Sequence, residues 1–148
     1  LPQRNSDKPS SPRMTKLERG QAPKPSERDI QRACTEILEW DGWRAIRTEH
    51  AIERDPKTGK VRRRVGEVGM PDYLYLRYEF GRGAAEVMWV EWKTLRGGVS
   101  TKQLMWAGNE TLRGACVLIA GEHFPATIEG FREWYATSGL QRKTRAKA

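Results

Sequence analysis

The chain has 148 residues, 37% of them hydrophobic and 31% charged, with a net charge of +8. That length fits one domain with a real core, and no apolar run approaches the roughly 18 residues that a membrane-spanning helix needs. Two cysteines and two histidines, widely scattered, make no zinc site.

The charge is unevenly placed. Residues 1–25 hold six Lys or Arg against two acids, and residues 141–148 hold four basic residues and no acid. Each tail carries +4, so the 17 basic and 17 acidic residues of 26–140 cancel. Residues 1–25 mix Pro, Ser, Lys, Arg and Gln with almost no large apolar side chain. Such a segment cannot bury enough surface to offset its ordering entropy and is expected to be a disordered basic tail, as is 141–148. Leu1 to Gly20 reads unlike a secretion signal, with Met14 as a possible internal start. Cys34 and Cys116 sit in apolar pattern on different elements. They read as small buried thiols, which fits a reducing cytoplasm. Basic tails on a neutral core suggest a polyanionic partner held by non-specific attraction.

One domain is expected over 26–140. Ser26 is a helix N-cap with acids in the following turn, and Ile30, Cys34, Ile37, Leu38 and Trp40 recur at helical spacing up to Asp41-Gly42. Gln31 lies one turn after Glu27 on the same side. Trp43 to Ile52 alternates as a strand, and Asp55-Pro56-Lys57-Thr58-Gly59 is turn chemistry that folds the chain into a hairpin. That hairpin carries Arg54, Lys57, Lys60, Arg62, Arg63 and Arg64, the densest cationic cluster outside the tails. Guarding a sheet edge needs far fewer charges, so the reading here is a finger against phosphates.

Two strands follow, over about 71–78 and 86–94, joined through Gly81 and Gly83. Side chains alternate along a strand, so Glu91 and Lys93 share one side while Val90 and Trp92 face a helix on the other. Charges in an otherwise apolar strand are costly unless something uses them. Ser100 caps a helix over about 101–113, with Gln103 at capping-box spacing. The apolar run Ala115–Ala120 reads as a strand buried on both faces. An amphipathic helix over about 125–137 carries Ile128, Phe131, Trp134 and Tyr135.

Glu27, Asp72, Glu91 and Lys93 form the chemical constellation. Hard cations such as Mg²⁺ take oxygen ligands, commonly one or two carboxylates with water and substrate phosphate. Asp72 and Glu91 supply two carboxylates, Glu27 is a candidate third, and the backbone carbonyl of Trp92 is a further oxygen ligand. Lys93 is placed to orient or deprotonate a water, or to neutralise charge on a phosphate.

Ser26-Glu27 with Ile30-Gln31, Gly69-Met70-Pro71-Asp72, Glu91-Trp92-Lys93, Ser100 with Gln103, and the Gly114–Ile119 strand follow one another in order. In this the chain resembles the VRR-NUC family, the virus-type replication-repair nucleases of the PD-(D/E)xK superfamily, over about residues 26–120. The resemblance implies an α/β fold, with a restriction-endonuclease-like mixed β-sheet flanked by helices. It also implies Mg²⁺- or Mn²⁺-dependent cleavage of phosphodiester bonds. Asp72 and Glu91 take the metal-ligand positions, Lys93 that of the catalytic lysine, Gln103 that of the active-site glutamine and Glu27 that of a helix acid near the metal. Lys102, beside Gln103, joins the hairpin cations as a nucleic-acid contact. Two features depart from the pattern: Trp92 is bulkier than the small β-branched residue usual there, and the 50–66 hairpin is longer than a minimal domain needs.

The expected substrate is branched DNA, a Holliday junction or a flap of replication, recombination or repair. The expected source is bacterial or phage, and a homodimer is expected if two symmetric incisions are made. Two alternatives stay open: a non-catalytic DNA-binding subunit with this fold, and a nuclease acting on RNA. The residues also have structural readings. Gln103 can serve as a cap, Glu27 can complement the helix dipole, and Glu91 with Lys93 can form an ion pair. Glu67 reads as solvated, Trp106 and Tyr73 as packing residues, and His50 and His123 are assigned no role.

Overall fold

The computed structural model describes residues 22–48, 52–63, 66–79 and 81–142. The expectations for 1–21, His50, Arg64 and 143–148 lie outside the described residues. The elements run α1 (Glu27–Trp40), β1 (Arg44–Arg47), β2 (Ile52–Arg54), β3 (Val61–Arg63), β4 (Tyr73–Tyr78), β5 (Ala85–Glu91), α2 (Thr101–Leu112), β6 (Cys116–Ile119) and α3 (Ile128–Thr137). β1, β4, β5 and β6 form one mixed sheet in that spatial order, and β2 pairs with β3 in a separate two-stranded sheet. β1 to β4 and β4 to β5 are antiparallel. β5 to β6 is parallel, with α2 as the crossover. The protein is therefore a mixed α/β structure, its four-stranded sheet flanked by three helices.

Alternation along the strands divides the core into two layers. On one face, Tyr75, Met88, Val90 and Leu118 pack with Ile30, Cys34 and Leu38 of α1 and with Phe131 and Tyr135 of α3. On the other, Trp89, Val117 and Ile119 pack with Trp106 and Ala107 of α2. β6 feeds both layers, as its uninterrupted apolar run requires. Trp92, only 1% exposed, stands edge-on to Phe131 at 5.1 Å and to Phe124 at 5.6 Å between ring centroids. Aromatic pairs of this kind add roughly 0.5–1.5 kcal/mol beyond the area they bury. Burial pushes the Cys34 thiol up to about 12, which makes it a packing residue rather than a nucleophile.

Each α1 and α2 N-terminus carries a full capping box. Ser26 pairs with Asp29, and Ser100 pairs with Gln103. Three expectations need correction. The single strand over 43–52 is two short ones in different sheets. β1 stops at Arg47 because its partner β4 begins at Tyr73, the residue opposite it. Trp40 is 92% exposed, since it lies off the α1 face that meets the sheet. The last helix starts at Ile128 behind the Thr127 cap, three residues later than expected. The hairpin turn is as read, with Gly59 N–H donating to the Asp55 carbonyl at 2.9 Å and Gly59 at φ 67°. Among the described residues, no helix is long and apolar enough to cross a membrane.

Candidate functional site

Glu91 is the last residue of β5. Because Val90 points to the α1/α3 layer, Glu91 points to the α2 layer, where it is 3% exposed. A carboxylate buried this deeply needs partners for its lone pairs, and three elements supply them. Lys93 Nζ, two residues on and on the same side, lies 2.8 Å from Oε1. Gln103 Nε2, from the first turn of α2, donates to Oε1 at 2.5 Å. The backbone N–H of Asp72, at the mouth of β4, donates to Oε2 at 3.3 Å.

Gln103 closes the helix cap and reaches Glu91 at once. Its Oε1 accepts from the Ser100 N–H at 3.0 Å, closing the capping box, while its amide nitrogen holds Glu91. The helix start and the carboxylate are thus located by one side chain. Asp72 is set by β1: Thr48 N–H donates to the Asp72 carbonyl at 2.8 Å, and the Thr48 hydroxyl donates to the Pro71 carbonyl. The turn before it is pinned to α2. Gly69 has φ 88°, and a Cβ there would collide with the Lys102 carbonyl. Only glycine accepts both that conformation and that approach. One turn further along α2, Trp106 Nε1–H donates to Glu67 at 2.7 Å. Glu67 is exposed, as expected, and also tethers the loop to the helix.

Burial pushes the Glu91 carboxyl above its usual range, the Asp72 carboxylate adds to the rise, and the Lys93 hydrogen bond opposes it. The cluster holds two carboxyl groups and one ammonium. It is short of positive charge, and a cation placed beside Asp72 and Glu91 is electrostatically favoured. Trp92 fixes the backbone between Glu91 and Lys93 from the opposite layer, through its ring packing and through Nε1–H to the Tyr75 hydroxyl at 3.1 Å.

Asp72, Glu91, Lys93 and Gln103 therefore come together, and among the described residues Glu27 completes no metal-holding group with Asp72 and Glu91. α1 packs on the Val90 side of the sheet, opposite α2, and Glu27 accepts from Gln31 Nε2 at 3.4 Å. No three His, Cys, Asp or Glu side chains among the described residues converge as a metal-holding group. Arg54, Lys57 and Lys60 are exposed on the β2–β3 hairpin, Arg62 and Arg63 lie on β3, and Lys102 is exposed at the start of α2. Among the described residues, the hairpin packs on no other helix or strand. His123 has a structural role, because its Nδ1 accepts from the Ile119 N–H at 2.9 Å and closes the turn after β6.

Thr48, Glu67 and the approach at Gly69 are the supports that the chain does not announce. The glycine of Gly-x-Pro-Asp is the one available signal, because turn chemistry marks it. No family model, curated protein or solved structure matches this chain.

Proposed function

We propose that this protein is a metal-dependent endonuclease that hydrolyses DNA phosphodiester bonds, on a restriction-endonuclease-like scaffold of the VRR-NUC kind. One observation carries the reading. Glu91 is buried, a second carboxylate stands beside it, and Lys93 and a capping glutamine hold it in one orientation. A purely structural ion pair gains little from such burial, whereas a site for a divalent cation needs it.

The donor set suits Mg²⁺ or Mn²⁺, since Asp72, Glu91 and the Trp92 carbonyl offer hard oxygens and leave a deficit of positive charge. Bound there, the ion would polarise a phosphate oxygen and lower the pKa of an attacking water. The chain's own residues have separable roles. Gln103 and the Asp72 N–H fix the Glu91 carboxylate. Lys93, 14% exposed at its side chain, presents a donor to the water or to the charge that builds on the phosphate. Lys102 is exposed at the start of α2, and Arg54, Lys57 and Lys60 extend cationic surface along the hairpin for the DNA backbone. Branched DNA, a junction or a flap, is the proposed substrate.

The test is cleavage of labelled four-way junction, flap and linear duplex, with and without Mg²⁺. Wild type is expected to cut only with the metal, and Glu91→Ala and Lys93→Ala are expected to cut nothing measurable. A wild type that cuts no substrate, or variants that match it, would overturn the assignment.

A further inference from the structure

The chain after Lys93 turns at once and sets an apolar side chain beside the Glu91 site. Gly97 N–H donates to the Thr94 carbonyl at 2.9 Å, which closes a four-residue turn with Leu95 and Arg96 at its tip. The turn is tight, since a Cβ at Gly97 would lie 3.3 Å from the Thr94 backbone and 3.4 Å from the Lys93 Cβ. Leu95 is 77% exposed there. Turn tips favour Gly, Pro, Asn, Asp and Ser. A single exposed leucine is ordinary on a protein surface; this one differs in its mounting and in what lies behind it.

Behind Leu95 is a groove of about 420 Å³. Ile30 of α1 and Ala126 ahead of α3, 3% and 4% exposed, give it an apolar lining together with Leu95. Its charged residues are all exposed, Lys24 and Arg96 against Glu129, so cations outnumber acids. A lining of that kind suits a flat apolar group that carries an anion, which is the chemistry of a nucleotide: base on the apolar side chains, phosphate on the cations. The groove also adjoins the site. Thr94 lines it, while the preceding residue, Lys93, is paired with Glu91. Consecutive Cα atoms are about 3.8 Å apart, so a strand crossing this end of β5 meets the Glu91 cluster and then the groove.

We infer that Leu95 reads the branch point of the substrate. It stands against the face of the first unpaired base, and the groove behind it seats that nucleotide with its phosphate toward Lys24 and Arg96. In an intact duplex the base faces are stacked on one another and offer an apolar side chain nothing. Where stacking is broken, a leucine can take the place of the missing neighbour, as apolar wedges do in proteins that unstack DNA. The cations of the hairpin meet any phosphate alike and carry no such information. The inference rests on the nucleic-acid reading of the Glu91 site and adds to it the feature by which a branch is told from a duplex. Arg96 follows Leu95 directly, so the residue that reads the break and a residue that holds its phosphate share one turn.

Binding of the full chain to a labelled flap and to a linear duplex of the same length tests it, by fluorescence anisotropy without divalent metal. Wild type is expected to hold the flap at least about tenfold tighter than the duplex. Leu95→Ser should remove most of that preference and leave duplex affinity within about twofold of wild type, since an exposed turn residue carries little of the fold. Leu112→Ser, at a side chain 89% exposed on α2, should change neither affinity. Arg96→Gln should lower the salt slope of flap binding by about one. 2-Aminopurine at the first unpaired position should change in fluorescence on binding wild type and stay unchanged on binding Leu95→Ser. A wild type that holds flap and duplex equally, or a Leu95→Ser variant that keeps both the preference and the fluorescence change, overturns the inference. No cleavage enters these measurements, so the inference can fail while the Glu91 site still cuts, and can stand where cutting fails.

Discussion

Arg77 and Glu91 are the two charged residues buried among the described residues, each 3% exposed, and their surroundings differ in kind. Arg77 lies on β4 in the α1/α3 layer. Its guanidinium donates to Asp41 at 2.8 Å, to both Glu86 oxygens at 2.5 and 3.1 Å, and to the Leu140 carbonyl at 2.7 Å. It also stands over the Trp43 ring at 4.3 Å. Asp41 accepts in turn from the Tyr135 hydroxyl and from the Arg142 N–H. With Arg142 counted, two cations meet two carboxylates and the charge closes to zero. This knot ties the end of α1, the sheet and the chain after α3 into one body. Around Glu91, two carboxyl groups share one ammonium, and the balance stays negative. The balanced cluster holds the fold together, whereas the unbalanced one leaves a place for a positive charge to enter.

The largest expected effect separates the two clusters by activity. On the proposed function, Glu91→Ala and Lys93→Ala should each lower cleavage about 10³-fold, read by single-turnover kinetics on a labelled junction. Arg77→Lys should leave that rate within a few-fold of wild type wherever it remains folded.

Stability should divide them the other way. Arg77→Met strands the Asp41 carboxylate and should cost about 3 kcal/mol in urea unfolding. Glu91→Gln keeps its shape, removes a buried charge and leaves Asp72 near Lys93, so it should change stability by less than about 1 kcal/mol. A Glu91→Gln variant as unstable as Arg77→Met would make Glu91 a structural charge like its counterpart.

Gly69→Ala should cost about 2 kcal/mol through its left-handed backbone, and should also misplace the start of α2 against Asp72. Cleavage should therefore fall along with stability. Gln103→Ala removes a cap and should cost about 1 kcal/mol, while Gln103→Glu, which can still close the capping box but sets a third carboxylate against Glu91, should recover neither stability nor rate. Equal recovery of both would assign Gln103 to the helix alone.

The smallest expected effect is on pH, and the two clusters should contribute with opposite sign. Glu86 lies below its ordinary 4.5, chiefly through its hydrogen bond to Arg77. Its contribution is complete above that value and is lost as pH falls through the lowered one. Glu91 lies above its ordinary 4.5, so the folded state holds its proton longer. That contribution is complete below 4.5 and is lost as pH rises through the raised value. Melting temperatures against pH should show Glu86→Gln flattening the acid limb and Glu91→Gln flattening the descent just above it.

Much of the site can be read along the chain because its signals are local. Period two puts Lys93 on the side of Glu91, and Ser100 with Gln103 is a capping box by spacing. Gly-x-Pro-Asp marks a turn before a strand. These depend on neighbours within four residues, and sequence order preserves them. The Arg77 cluster is different: Asp41 lies 36 positions away, and nothing at either position announces the other. Trp40 departs from expectation for a related reason, since helical spacing finds an apolar stripe without stating how wide a face the sheet will cover.

The amino-acid order by itself therefore determined which stretches form helices and which form strands, the helix caps, and the common side of Glu91 and Lys93. All of these follow from backbone periodicity and from satisfying the first turn of a helix. Only the tertiary structure decided that Gln103 reaches Glu91 and that Gly69 lets the loop touch Lys102. Each of those depends on which face of the sheet a helix is packed against. That choice is made by the whole core and by no local stretch of it.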